Sequence, residues 1–469
     1  MDDVNHSILQ RVPLAQAALM VLAHATREPF LDDLYDRNRG RCYEKVLSFS
    51  MLVRLLEDAL IQHRGSGRKS CDDAAEREAM PVTPSAFYRK LARVPLAVSH
   101  ALLSETAARM APLSPASDSS PIPESLRGMV LLPIDGKKIK NVAKRTAFLR
   151  DLPGAVLGAK VLVALRLDQG IAVALEANPD GEANDCPLVA GLLAQVRQVV
   201  PGPRLFIADR QYCGVEQLEQ FAADGDHFLV RRTTTAQFAP DPQRTAREGT
   251  DSRGRHYVDC LGTLYKAAKA RYVRQITLTR PGEETITLVT DLLDQAIYPA
   301  ADLLEAYLLR WGIERVFQQI TEVFSLESLI GSSPEAVVFQ CSFCLLLYNA
   351  LRVVRDIIAE MHSREPESVS IEQVFCDTRD QFTTLRVMGL LEKTHAECSQ
   401  PKTDDQARAA LTKLLRGTWS NRWLKAPPKK KVPARQKPTK SGAHTSVLRA
   451  KQAYIERKAK SKRRRSAGQ

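Results

Sequence analysis

Residues 128–140, GMVLLPIDGKKIK, decide how the rest of the chain is read. An apolar run reaches Ile134 and ends on Asp135, followed by a glycine and a basic patch. A strand buried on both faces reads as a continuous run of Val, Leu and Ile and not as an alternation, so this segment predicts a central strand. Downstream, KVLVALRLD (160–168) and IAVALEAN (171–178) are two more strand candidates, joined by a turn at Gln169 and Gly170. A helical stretch ending near Val200 leads into PRLFIADRQY (203–212), a short apolar strand that ends on Asp209. A helix near VEQLEQFAAD (215–224) and a strand HFLVRR (227–232) follow. The expected order is three strands, helix, strand, helix, strand, an α/β arrangement. In open α/β sheets ligands collect beyond the carboxyl ends of the strands, so Asp135 and Asp209 would meet if their strands are neighbours. Taken singly, each is also an ordinary strand-terminating turn residue.

Outward from this core, residues 233–297 read as a β-rich insertion, with RYVRQITLT and TITLVT flanking the turn RPGE. The core is expected over 128–232 and 298–360. Four prolines and five serines in APLSPASDSSPIPES (111–125) suit an exposed linker, placed at 111–127. Residues 1–110 are helical in pattern and 361–424 form a helical C-terminal region. Within the first, TPSAFYRKLARVP offers Thr83 as N-cap, Pro84 at the first helical position, and Arg89, Lys90 and Arg93 on one side. That side suits DNA contact or a solvated charged face.

A chain of 469 residues with 44% hydrophobic content can bury a large core. No run approaches the roughly 18 apolar residues of a membrane span, and MDDVNHSILQ lacks the basic start of a secretory signal, so a cytoplasmic location is expected. Nine scattered cysteines fit a reducing compartment, and the one CxxC spacing, Cys341 and Cys344, lies in the apolar helical run FQCSFCLLLYNALRVV, as core residues would. The net charge is +13, yet residues 425–469 hold 16 Lys plus Arg against one acid, Glu456; that tail carries +15 and the remainder −2 (13 − 15). Such a segment reads as disordered and attractive to polyphosphate, or as merely solubilising.

A third acid lies in YLLRWGIERVF (307–317). On a continuous helix at about 100° per residue, Tyr307, Arg310, Glu314, Gln318 and Thr321 share one stripe, opposite Leu309, Ile313, Val316, Phe317 and Ile320. Taken alone, the stripe reads more simply as an exposed polar face with an Arg310–Glu314 pair. Three carboxylates, two on strand ends and one on a helix, would instead suit Mg²⁺, which takes oxygen ligands and keeps some waters. Two such ions support in-line displacement at phosphorus with no covalent protein nucleophile. Arg310 would then bond phosphate and Tyr307 would offer its hydroxyl or its ring.

IDGKKI around Asp135, IADRQYC around Asp209 and YLLRWGIERVF around Glu314 together resemble the DDE transposases of bacterial insertion sequences, specifically the insertion-sequence-four family with its Tyr, Arg, Glu, Lys signature. The resemblance spans roughly residues 125–360. It implies a ribonuclease-H-like, retroviral-integrase-like core with a β-rich insertion, and Asp135, Asp209 and Glu314 as catalytic, metal-binding residues for two Mg²⁺ ions, with Mn²⁺ as a substitute. It further implies cleavage at transposon ends and transfer of the 3′-hydroxyl into target DNA. The implied partners are the terminal inverted repeats and target DNA, met by a homodimer in the bacterial nucleoid. Tyr307 and Arg310 align with signature residues that contact phosphate; Arg210 and Thr321 complete the expected DNA contacts. The signature lysine falls on Thr321, which loses its point charge, and the insertion has no tryptophan to serve as a base-stacking wedge. A nuclease on the same scaffold, or a non-catalytic DNA-binding descendant, are the alternatives.

Overall fold

The expected central strand forms as β1 (Val130–Ile139), but it does not stop at Asp135. In the computed structural model, which describes residues 7–42, 47–77, 83–115, 122–140, 142–144, 146–279, 282, 284–324, 326, 328, 330–425 and 444–466, β1 changes partner along its length. Its first part, residues 130–133, pairs in parallel with β5 (Arg204–Ala208), and residues 134–139 pair antiparallel with β3 (Ala159–Arg166). Asp135 therefore marks the place where β1 leaves β5, not the end of the strand.

The remaining strands are β2 (Val156–Leu157), β4 (Ile171–Asn178), β6 (His227–Arg231), β7 (Gln237–Pro240), β8 (Arg247–Thr250), β9 (His256–Lys266), β10 (Lys269–Leu278), β11 (Ile286–Thr290) and β12 (Thr445–Ser446). One sheet runs β4-β3-β1-β5-β6-β11-β10-β9-β7, with β8 added on β9. Strands β1, β5 and β6 are mutually parallel and all its other neighbours antiparallel. The segment expected as an insertion is indeed mostly β, and β11 hydrogen-bonds to β6, so its strands continue the central sheet.

The helices are α1 (Pro13–Ala25), α2 (Glu28–Asn38), α3 (Phe49–Ile61), α4 (Gly67–Glu76), α5 (Pro84–Leu91), α6 (Leu96–Met110), α7 (Val189–Val199), α8 (Val215–Phe221), α9 (Ala300–Leu309), α10 (Trp311–Glu322), α11 (Pro334–Met361), α12 (Ile371–Val387), α13 (Leu391–Cys398), α14 (Asp404–Leu415) and α15 (Val447–Ser466). The strands alternate in what they face, as period-two side chains must. Leu132, Phe206, Ala208, Phe228 and Val230 pack with α7 and α8, while Leu131, Leu205, Ile207 and Leu229 pack with α9. At the other end of the sheet, Val161, Val163 and Leu165 join α10, α11 and the helices of both termini in one large apolar cluster.

At 28 residues, α11 is the one helix among those described that is long and apolar enough to cross a membrane, and 94% of its most apolar window is buried in the protein. It is a core helix, with Cys341 and Cys344 buried and free as expected. Asn349 on α11 donates to Ala172 O (2.7 Å) and accepts from Ala172 N (2.8 Å), so one side chain completes the ladder on edge strand β4. Thr83 caps α5 as expected, its hydroxyl accepting from Ala86 N at 3.3 Å. Of the three basic residues there, Lys90 is drawn inward to Leu47 O and the Tyr35 ring, which leaves Arg89 and Arg93 exposed.

The expected disordered tail is in part ordered. Thr445 and Ser446 pair with Val156 and Leu157, and Arg449 bonds Asp180 and Glu182, so α15 leaves from an anchored start. Local acids on the core give the tail a docking point that its own composition does not reveal. Residues 426–443 and 467–469 of that segment lie outside the described residues, as do 116–121 of the expected linker.

Candidate active site

Strands β1 and β5 keep a constant offset: Val130 lies opposite Arg204 and Pro133 opposite Ile207, a difference of 74 (204 − 130), which is also 209 − 135. Asp135 and Asp209 each lie two residues beyond the last pair of that register, Pro133 with Ile207, where β1 and β5 part. They also share a face. Asp135 follows Leu131 and Asp209 follows Leu205 and Ile207 by even numbers of residues, so both project toward the side covered by α9. Asp209 keeps extended backbone, φ −80° and ψ 171°, before the chain turns at Arg210.

The third motif is not one helix. It breaks between α9 and α10 at Arg310, where Arg310 N bonds Tyr307 O (3.2 Å) and Ile313 N bonds Arg310 O (3.1 Å), the tighter spacing of a 3₁₀ turn. A single 100° wheel from 307 to 321 therefore misplaces its first members. Tyr307 and Arg310 are buried, at 4% and 6% exposure, so the exposed-stripe reading fails for them. The Arg310–Glu314 pair is present, Nη2 donating to Oε1 at 3.0 Å, with the Arg310 side chain 7% and the Glu314 side chain 37% exposed. Arg310 lies over the rings of Tyr307 (5.7 Å) and Trp311 (5.4 Å), and its Nε is buried with no hydrogen-bond partner among the described residues.

Electrostatics ties these groups together. Burial lifts the Asp135 carboxyl above its ordinary range; the Gly136 N–H (2.9 Å) and Arg310 oppose the shift, while Glu314 and Asp209 add to it. Burial works against the charge on Arg310, yet Tyr307, Glu314, Asp209 and Asp135 hold its pKa above the ordinary value. Burial raises the Tyr307 phenol, with Arg310 opposing and Asp209 reinforcing. Five side chains from three chain segments thus sense one another's charge. Among the described residues no three His, Cys, Asp or Glu side chains already stand as a group that could hold a metal ion; Glu314 is engaged by Arg310.

Of the other expected residues, Arg210 is 55% exposed beside Asp209 and pairs with Glu284 at 3.7 Å. Thr321 lies two turns beyond Glu314 and spends its hydroxyl on Phe317 O (2.6 Å). Sequence reasoning missed Asp185. Its carboxylate is 3% exposed, pairs with Lys160 at 2.5 Å, accepts from Gln211 (3.0 Å) and Tyr212 (3.3 Å), and occupies the space that a Cβ on residue 136 would need. Gly136 is therefore required directly after Asp135, and that Asp-Gly step was the available signal. Trp311, 54% exposed with the Arg310 guanidinium over its ring at 5.4 Å, was also overlooked.

Residues 131–350 match a family model described as the transposase DDE domain. A curated relative, "Probable transposase for insertion sequence element IS5377" of Geobacillus stearothermophilus, is 23% identical over 160 residues, which is 34% of this chain. The chain spans 41% of the length of that relative. Among solved structures, a cryo-EM structure of a piggyBac transposase synaptic complex with hairpin DNA aligns over 85% of both chains at 11% identity, with a TM-score of 0.41. The family match begins on β1 and closes on α11, so it holds Asp135, Asp209 and Glu314 within one span.

Proposed function

We propose that this chain is a DNA transposase of an insertion sequence, built on a ribonuclease-H-like core, which cleaves at transposon ends and joins the 3′-hydroxyl to target DNA. The observation that carries the reading is that Asp135, at the end of the β1–β5 pairing, feels the charges of Asp209, Glu314 and Arg310 together. The match of residues 131–350 to the transposase DDE domain supports it. The strand order, three antiparallel strands leading into two parallel ones, supports the assignment of the core.

Three carboxylates from β1, β5 and α10 are hard oxygen donors that fit Mg²⁺, with Mn²⁺ as a substitute, and Asp135, Asp209 and Glu314 would hold it. When bound, divalent ions supply charge neutralisation and an activated oxygen nucleophile for in-line displacement at phosphorus. The remaining work falls to the chain. Arg310, its Nε unpartnered, donates to a phosphate oxygen of the strand being cut, and Tyr307 below it fixes the guanidinium plane. Arg210 meets backbone phosphate at the rim. Asp185, through Lys160 and against Gly136, keeps β1 from shifting beneath Asp135. The basic tail adds sequence-independent attraction to DNA, and a dimer on DNA brings two ends together. The Tyr, Arg, Glu branch of the insertion-sequence-four family is the finer assignment that the motif around Glu314 favours.

Supplying pre-cut ends from the DNA flanking the reading frame, a target plasmid and Mg²⁺ tests the proposal. Strand-transfer products, abolished by Asp135→Asn, Asp209→Asn and Glu314→Gln, are expected. Cleavage without joining would replace it with a nuclease, and unaltered products from the three variants would remove the carboxylates from the chemistry.

A further inference from the structure

Beside Glu314 lies a cleft of about 680 Å³ between the far half of β1 and α10. Among the described residues its walls carry Lys137, Lys138, Lys140 and Lys160, with Glu314 and Glu322 as the acids. Lys160 is committed to Asp185 (2.5 Å) and Glu314 to Arg310 (3.0 Å). Setting those pairs aside leaves three lysines against Glu322 among the described lining residues, a surplus of two positive charges (3 − 1). Lys138 and Lys140 are exposed and carry no ion pair among the described residues.

The backbone explains the cleft. Strand β5 pairs only with residues 130–133, so β1 beyond Asp135 has an open edge and both of its faces border the same space. Lys137 follows Asp135 by two residues and therefore shares its face. Its ammonium donates to Phe317 O (3.4 Å) and sits over the Phe317 ring (5.3 Å), one turn beyond Glu314. Lys137 is half-buried, so its charge sits in a partly dry place where a ligand anion would be felt strongly. From Asp135 to Lys140 the strand rises roughly 17 Å at about 3.3 Å per residue. That is about five nucleotides at roughly 3.4 Å per nucleotide of one strand.

We propose that this cleft is a DNA-backbone track leading away from the carboxylates, in which Lys137, Lys138 and Lys140 hold successive phosphates within about five nucleotides of the cut site. The inference rests on the DNA-acting reading above and assigns the lysines of β1 as positioning residues. Thr321, its hydroxyl bonded to its own helix, leaves the phosphate contacts in this cleft to β1.

The test is the salt dependence of binding to a fluorescein-labelled 30-base-pair duplex of random sequence, measured by anisotropy on the full chain. Losing n phosphate contacts lowers the slope of log K against log salt by about 0.9n. K138A/K140A should make the slope shallower by about 1.8, and Lys137→Met by about 0.9 more, with Lys137→Arg restoring it. Lys413→Ala, an exposed lysine remote from the cleft, should leave the slope alone. Equal slopes for wild type and K138A/K140A would overturn the proposal. The double substitution touches only exposed side chains, so folding does not cloud it, and a purely structural role for Lys137 would change stability but not slope. Loss of strand transfer in the wild-type chain would sink the transposase reading without altering these slopes, so the two failures are separable.

Discussion

Arg310 and Glu314 cannot both serve a metal-bound phosphate while bonded to each other, and this makes Arg310→Met informative without any DNA. To bind an ion, Glu314 must give up a 3.0 Å hydrogen bond from a guanidinium that is 7% exposed, while Glu314 itself is 37% exposed. Bulk screening on the glutamate side limits what that pair contributes: exposed i, i+4 pairs give about 0.3–0.5 kcal/mol and the better exposed pairs up to about 1 kcal/mol. With about 1.4 kcal/mol per factor of ten, releasing Glu314 should tighten Mn²⁺ binding about two- to five-fold. Removing a like charge from beside the ion acts in the same direction. Free Mn²⁺ measured by electron paramagnetic resonance during titration of the DNA-free chain reads the dissociation constant directly. Strand cleavage should fall in the same variant, because the phosphate loses its donor. An unchanged or weakened Mn²⁺ affinity would refute the view that Arg310 holds Glu314 back until a phosphate takes its place.

Arg274, fully buried, forms a two-pronged pair with Asp259 (2.8 and 2.7 Å) and donates to Leu292 O and Tyr298 O, tying β9 and β10 to the segment that leads into α9. Arg274→Met should cost about 3–5 kcal/mol in urea unfolding by stranding Asp259, and R274M/D259L should recover much of it. Burial lowers His100 to about 4, against roughly 6.5 unfolded. The unfolded chain binds the proton more tightly, so this residue's contribution is complete above the ordinary histidine value and is lost as pH falls toward about 4. His100→Gln should flatten the decline in melting temperature between about pH 7 and 5, a change read by scanning calorimetry. Truncation after Trp423 should lower the salt slope of duplex binding measured by anisotropy, and an unchanged slope would assign the tail to solubility alone.

The parallel part of the sheet was legible because its strands are buried on both faces: apolar runs ending on Asp135 and Asp209 announce themselves without any alternation. What periodicity could not show was that β1 runs on past Asp135, since Gly136, Lys137 and Lys138 look like a turn until β3 is known to pair with them. The break at Arg310 escaped for the opposite reason. Its neighbours have good helical pattern on both sides, and the break shows only in the shorter-range backbone bonds on either side of Arg310. Asp185 lies far in sequence from each motif, in a loop whose composition carries no signal, and it becomes visible only through the space it takes beside Gly136. The basic composition of the C-terminal segment hid a short strand and the Arg449 contacts that tie it to the core.

The hydrogen-bonded ladder from β6 to β11 makes the outer strands one continuous sheet with β5. Strand β10 stands three pairings and β9 four pairings from the strand that leads to Asp209, so a displacement of the outer strands has an unbroken backbone route to that carboxylate.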